Sequence, residues 1–241
     1  RLYGRGLPLV YRFDNPIVAD QPEALQGLRI PHRMVALSHA HARPIADDPA
    51  TRVVGNCVEV ERLAFSRDGG DGYLAFLGRL THNKGVDMAI RIAERTGLPL
   101  RIAGNVSDEE GGREFFETLV KPRLGGPIQW IGEITDADKS DFLGNARALL
   151  VPIRWEEPFG LIVPEALACG TPVIAAPCGS MPELVRPGVN GMLAHDEDVF
   201  VEAVARVGEI DRAACRADAE ERFSSEVLIN RYLELIDELL A

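Results

Sequence analysis

At 241 residues, 46% of them hydrophobic and 26% charged, the chain has room for one large domain or one and a half smaller ones and the make-up of an ordinary globular protein. Its 26 lysines and arginines against 37 aspartates and glutamates leave a formal net charge of −11. That balance argues against nucleic acid as a partner and against binding an anionic membrane by charge alone, while leaving room for a local basic site for a small phosphate ligand.

In chain order, residues 7–13 (LPLVYRF) read as a strand that stops at the turn signal Asp14-Asn15-Pro16. A short apolar run follows at 34–38, then a polar stretch, then another short strand at 52–58 broken by Gly55-Asn56. The segment 66–72 (SRDGGDG) reads as a flexible joint and a candidate domain boundary. Beyond it the pattern becomes regular. Strands are expected at 73–77, 98–103, 128–131, 148–152 and 172–176. Helices are expected at 86–95, 109–120, 136–145, 161–169, 181–185, 197–207 and 224–240, the last capped by Ser224 or Ser225. Strands nearly continuous in apolar residues, alternating with helices, predict an α/β fold: a doubly wound parallel sheet of Rossmann type. Such sheets bind ligands beyond the carboxyl ends of their strands, so the chemistry is expected in the loops that follow them.

Two loops carry it. The first, Gly78-Arg79-Leu80-Thr81-His82-Asn83-Lys84-Gly85, lies between a strand and a helix N-terminus. Backbone N–H groups, the helix dipole and two cations would converge there on a diphosphate, Arg79 as a fork and Lys84 as a point charge. The alternative is a pair of solvated cations in a turn. The second is Glu156-Glu157-Pro158-Phe159-Gly160 running into a helix that holds Glu165, eight residues after Glu157. Carboxylates accept well from vicinal hydroxyls, so Glu157 suits a hexose and Glu165 a ribose. Gly160 permits close backbone approach, and the N–H groups around Phe159, Gly160 and Leu161 suit an anion or a sugar oxygen. The alternative is a capping Glu157 and a solvated Glu165.

The stretches G-R-L-T-x-x-K-G, then E-P-F-G-L-x-x-x-E-A-L-A-C-G-T-P-V-I-A, then P-E-L-V-x-P-G-x-N-G together resemble glycosyltransferase family 4, the retaining group 1 enzymes, over about residues 30–240. The resemblance implies a GT-B fold, two Rossmann-like domains facing across a cleft, and a nucleoside diphosphate sugar, UDP- or GDP-linked, bound without metal or other cofactor. By position, Arg79, Lys84 and Glu157 match the catalytic set: the two cations hold the diphosphate and Glu157 the donor sugar. Phe159, Gly160 and Leu161 match the backbone beside sugar and phosphates, and Glu165 the ribose carboxylate. Gly78 and Gly104 match the nucleotide crevice, and Ile131, Gly132 and Glu133 the place where the base is read. The acceptor, whether saccharide, lipid or small molecule, is left open. Residues 1–65 read as a remnant of the acceptor-side domain without its glycine-rich loop, 66–223 as the donor domain, and 224–241 as a helix returning to the acceptor side. Asp14-Asn15-Pro16 stands where a His-Gly type segment is expected, and Ser180 where a glycine is.

Other signals are read more plainly. The four cysteines, Cys57, Cys169, Cys178 and Cys215, show no C-x-x-C spacing and are expected as free thiols. Asp136-Ala137-Asp138 opens a helix after Thr135, where acids cap rather than bind metal. His39 and His41 would face apart on a helix and lack a third ligand. Trp130 and Trp155 are read as packing, Trp155 being the better stacking candidate beside Glu157. Asp108-Glu109-Glu110 reads as a solvated helix start, and Val227, Leu228, Tyr232, Leu235, Ile236 and Leu239 as a core-facing stripe. No apolar run reaches membrane-spanning length and no signal peptide is visible, which points to the cytoplasm, with peripheral membrane attachment open. Other expectations kept open are a different GT-B enzyme, an epimerase or phosphorylase, and a module that binds nucleotide sugar without transfer.

Overall fold

The computed structural model describes residues 8–18, 30–69 and 72–240. Position 7 of the expected first strand, and positions 70 and 71 of the expected joint, lie outside the described residues. Strands β1 (Leu9–Arg12), β2 (His32–Ala36) and β3 (Thr51–Val53) form a parallel sheet in that order. Alternation along β2 divides its faces. Met34 and Ala36 pack with Phe13, Ile17, Ala42 and Ile45, whereas Val35 packs with Val54 and Leu235. The polar stretch after β2 is a single helical turn, α1 (His39–Ala42), whose first turn is capped by Ser38.

The second sheet begins with β4 (Tyr73–Leu77). Helix α2 (Val86–Thr96) leads to β5 (Leu100–Ala103), and α3 (Gly112–Phe115) with two tighter or wider turns leads to β6 (Ile128–Trp130). The chain then crosses back through α4 (Asp136–Gly144) to β7 (Ala146–Val151). It continues by α5 (Ile162–Ala168) to β8 (Val173–Ala175) and by α6 (Met181–Leu184) to β9 (Gly191–Leu193). All six strands are parallel, in the order β6-β5-β4-β7-β8-β9. The central strands are mostly apolar because helices cover both faces: Leu74, Leu100, Ile102, Leu149 and Leu150 are fully buried. The winding reverses between β4 and β7, and a crevice opens beyond their carboxyl ends. The loops 78–85 and 152–161 follow these two strands.

Helices α7 (Glu197–Arg206), α8 (Arg212–Phe223) and α9 (Ser225–Leu240) complete the chain. Helix α9 leaves the second sheet and lays Leu235 on Val35 and Val54 of the first, flanked by Leu228, Tyr232 and Leu239. Ile236, expected on the same stripe, is instead 42% exposed. A three-stranded sheet is narrow, so it covers only the ridge at 228, 232, 235 and 239.

The helix expected over 109–120 is also shorter than the pattern implies. Residues 107–111 are spent in a turn in which Glu109 N–H donates to Ser107 Oγ, and Phe116–Val120 forms a wide π turn that ends ahead of Pro122. Proline has no N–H to continue a helix and its ring crowds the preceding turn. Helix α8 and strand β9 were not foreseen. The buried face of α8 is Cys215, Asp218, Ala219 and Phe223, and the charged Asp218 hides the apolar stripe. Strand β9 is three residues long and opens on a glycine.

Candidate functional site

A cleft of about 420 Å³ lies beyond β4 and β7. Of the residues singled out from sequence, Gly78, Arg79, Lys84, Glu157, Phe159, Gly160 and Leu161 line it. Asp14, Asn15, Pro16, Leu37 and Asn56 form the facing wall, contributed by the first sheet. A second hollow of about 240 Å³ adjoins it, sharing Gly78 and Arg79 and adding Gly104, Asn105, Glu133, Ile134 and Lys139. Three predicted residues line neither space. Ile131 is 45% exposed, and the Gly132 carbonyl accepts from Gly104 N–H at 2.8 Å. The Glu165 carboxylate accepts from Lys139 Nζ at 2.7 Å, so it reaches the second hollow through that lysine.

The loops approach closely for local reasons. Gly104 has φ 139°, and a side chain there would run into the Gly78 carbonyl, so the ends of β4 and β5 can meet. Gly85 has φ 80°, and any Cβ would strike the Pro152 carbonyl, which lets the Lys84 loop lie against the end of β7. A charge network ties the same two loops. Arg154 grips Asp87 through both Nη atoms, at 2.8 and 2.9 Å, and donates to the His82 carbonyl at 2.7 Å, while Arg91 adds a 3.0 Å bond to Asp87. Burial alone would raise the Asp87 carboxyl, but the hydrogen bonds and charges of Arg154 and Arg91 outweigh it and hold it below the usual aspartate range.

The cations of the site are each paired with a carboxylate. Arg79 bonds Glu109, which is solvent-exposed as expected but lies in the turn before α3 and not at a helix start. Lys84 bonds Glu157 at Oε2, and the same oxygen accepts from the Trp155 indole N–H at 3.1 Å. Lys139 bridges Asp136 at 2.9 Å and Glu165 at 2.7 Å. Burial would lower the Lys139 ammonium, yet Glu165 and Asp136 outweigh it and hold it above the ordinary lysine value. The Phe159 ring is buried edge-on against Phe223, 6.1 Å between centroids, which leaves its backbone as the part that can address the cleft.

Ser180, standing where a glycine was expected, is fully buried. Its hydroxyl donates to the Phe159 carbonyl at 2.6 Å and its N–H to the Glu157 carbonyl at 3.0 Å. The neighbouring Glu183 takes the N–H groups of His39 and Ala40, both at 2.8 Å, and Ser38 Oγ donates to the Pro158 carbonyl at 2.8 Å. These bonds join the wall from the first sheet to the loop that bears Glu157. Asp87, Arg154, Lys139, Ser180 and Glu183 were not singled out from sequence as groups that build the site. Each acts through a partner distant in the chain, and only the lysine and arginine charges hinted at a role.

The remaining signals resolve locally. Asp138 accepts from the Thr135 N–H and hydroxyl at the start of α4. On α1, His41 takes the Leu37 N–H at Nδ1 and meets the Asn15 carbonyl at Nε2. Trp130 donates to the Gly104 carbonyl at 2.8 Å and packs on Phe116. All four cysteines are free, and burial, reinforced by the charge of Glu165, pushes the Cys169 thiol to about 11. Among the described residues there is no group of three or more His, Cys, Asp or Glu placed to hold a metal ion, and no helix long and apolar enough to cross a membrane.

A two-loop cleft at the switch point of a doubly wound sheet, faced by a second parallel sheet, defines a GT-B type architecture. The profile of the family described as "Glycosyl transferases group 1" matches residues 59–222, and the chain belongs to that family. A D-inositol 3-phosphate glycosyltransferase of Mycolicibacterium smegmatis is 32% identical over 171 residues, 67% of this chain and 38% of its own length. A 41.2 kDa protein of the cps region of Klebsiella pneumoniae is 27% identical over 171 residues, 67% of this chain and 45% of its own. The chain thus spans less than half the length of these curated relatives. Among solved structures, AviGT4, a glycosyltransferase involved in avilamycin A biosynthesis, is 25% identical with a TM-score of 0.72 over 86% of this chain and 63% of that one. Anabaena HepE, solved in complex with UDP, shares the fold at a TM-score of 0.80 and 18% identity, over 96% of this chain and 72% of that one.

Proposed function

We propose that this chain carries the donor site of a retaining glycosyltransferase that moves a hexosyl group from a nucleoside diphosphate sugar to an acceptor hydroxyl. The observation that carries the reading is the convergence of Arg79, Lys84 and Glu157 on one cleft at the strand reversal. Two cations beside backbone loops suit a diphosphate, and a carboxylate next to them suits the hydroxyls of the attached sugar. In this reading Arg79 and Lys84 exchange their present carboxylate partners for phosphate oxygens. The second hollow, with Gly104, Glu133 and Lys139, receives the nucleoside, a uridine or guanosine, and Glu165 the ribose. Residues 66–223 form the donor domain, residues 1–65 belong to the acceptor side, and the docking of Leu235 on β2 fits a terminal helix that returns to that side.

The transfer uses no protein nucleophile. The bond from the anomeric carbon to the diphosphate oxygen breaks, and its electron pair goes to that oxygen. Arg79 and Lys84 stabilise the charge that develops there, which is where fixed cations act most strongly. The acceptor oxygen bonds the anomeric carbon on the face the diphosphate leaves, and the acceptor proton passes to the departing phosphate. Glu157 orients the sugar through this step. Metal has no part in this scheme.

Calorimetric titration with UDP-, GDP- and ADP-glucose in the presence of EDTA tests the reading. One donor is expected to bind, Arg79→Ala to abolish that binding, and a transferred sugar to keep its anomeric configuration by NMR. Binding by none of the three, or binding that persists undiminished in Arg79→Ala, overturns it. Binding with neither transfer nor hydrolysis would make the chain a nucleotide-sugar binding module instead.

A further inference from the structure

Trp155 holds both charged groups of the sugar end of the cleft at once. Its indole N–H donates to Glu157 Oε2 at 3.1 Å, and Lys84 Nζ lies 4.6 Å from the centre of its ring. Lys84 bonds that same carboxylate oxygen, so three side chains from two loops close a triangle on the cleft wall. The two charged members are only 21% and 14% exposed. Glu157 Oε1 accepts no hydrogen bond from the described residues.

We propose that Trp155 is a positioning residue for donor-sugar recognition, keeping Glu157 aimed when a diphosphate draws Lys84 away from it. The inference rests on the reading of the cleft as a nucleotide-sugar site. Lys84 cannot serve a diphosphate fully while paired to Glu157, and a carboxylate released beside a diphosphate is repelled by it. The indole is a neutral donor, so its bond to Oε2 survives the exchange while Oε1 takes a sugar hydroxyl. The ring face gives the ammonium a second favourable contact, so Lys84 turns toward phosphate without leaving the cleft.

The test is calorimetry on the whole chain with UDP and UDP-glucose, then the GDP and ADP pairs, for wild type, Trp155→Phe, Glu157→Gln and the double variant. Phenylalanine keeps an aromatic face and removes the N–H. A hydrogen bond to a charged group makes the expected loss for the nucleotide sugar about 10- to 100-fold. The free nucleotide is expected to bind within about threefold of wild type, and the Trp155→Phe loss to vanish in the Glu157→Gln background, as coupled residues require. Trp155→His, which restores a ring N–H, is expected to recover part of the affinity and guards against a folding defect in the first variant. Equal weakening of nucleotide and nucleotide sugar, or the same loss with and without Glu157, would overturn the inference and leave plain packing. Unchanged affinity in Trp155→Phe overturns it too, with the donor site intact. A wild type that binds none of the six ligands overturns the donor-site reading beneath it.

Discussion

The two walls of the cleft are built differently. The wall from the second sheet rests on one continuous core running from β4 through β9, whose central strands are almost wholly buried. Apart from Leu37, which joins the large core, the wall from the first sheet rests on two small clusters, one on each face of three short strands, and on α9, which contributes a single buried leucine. Polar bonds from the opposite wall make up part of the difference: Glu183 caps α1 and Ser38 reaches the Pro158 carbonyl. Arg79, Lys84 and Glu157 thus stand on the larger core, while the groups that face them are held by reference to it. A ligand in the cleft would touch both.

That contrast can be broken at the larger core first. Leu149 is fully buried at the centre of β7, so Leu149→Ala is expected to cost about 3–4 kcal/mol, from lost transfer energy plus the cavity left behind. Urea unfolding measures it, and a loss below about 1 kcal/mol would mean that the core is less continuous than the packing implies.

A smaller effect should come from the charge network that ties the loops on that core. Asp87 is held below its ordinary value of 3.8. A depressed carboxyl lends stability that is present in full above the unfolded value and is lost as pH falls through the lower folded value. Asp87→Asn is therefore expected to cost about 2 kcal/mol at pH 7, below the usual figure for a broken buried pair because its arginine partners are 27% and 35% exposed. The stability curves of variant and wild type should converge as the pH drops below the aspartate range. Parallel curves down to that range would show that Asp87 acts through packing rather than charge.

The smallest change sharpens the comparison from the other wall. Glu183→Ala removes the acceptor for two N–H groups of α1 and should cost about 1 kcal/mol, the usual size of a lost cap. Amide exchange should quicken at His39 and Ala40 and stay slow through β4. Equal quickening in β4 would mean that the two walls open together.

The uneven build also explains what could be read from the chain. Strands buried on both faces leave short, mostly apolar runs, which between turn signals made β4, β5 and β7 legible from residue types. The two loops were plain as well, because the residues in each that address the cleft lie within ten positions of one another. Strands of the first sheet were blurred: β2 opens on the polar pair His32-Arg33, β3 has three residues, and both lean on partners far along the chain. Ile236 was placed on the wrong side because a helical pattern marks an apolar stripe without saying how wide its partner is. Ser180 looked like a departure from a glycine turn, and only the fold shows its hydroxyl holding the Phe159 carbonyl.

Local order along the chain, set by residue period and by turn chemistry, thus determined the α/β class, the strand-to-helix alternation and the two loops that hold Arg79, Lys84 and Glu157. Tertiary structure alone decided that β4 and β7 are neighbours, that Asp87 clasps Arg154 across 67 residues, and that each cation of the site already has a carboxylate partner. Those contacts join segments far apart in sequence, and their energies depend on distance and burial, which residue spacing does not encode.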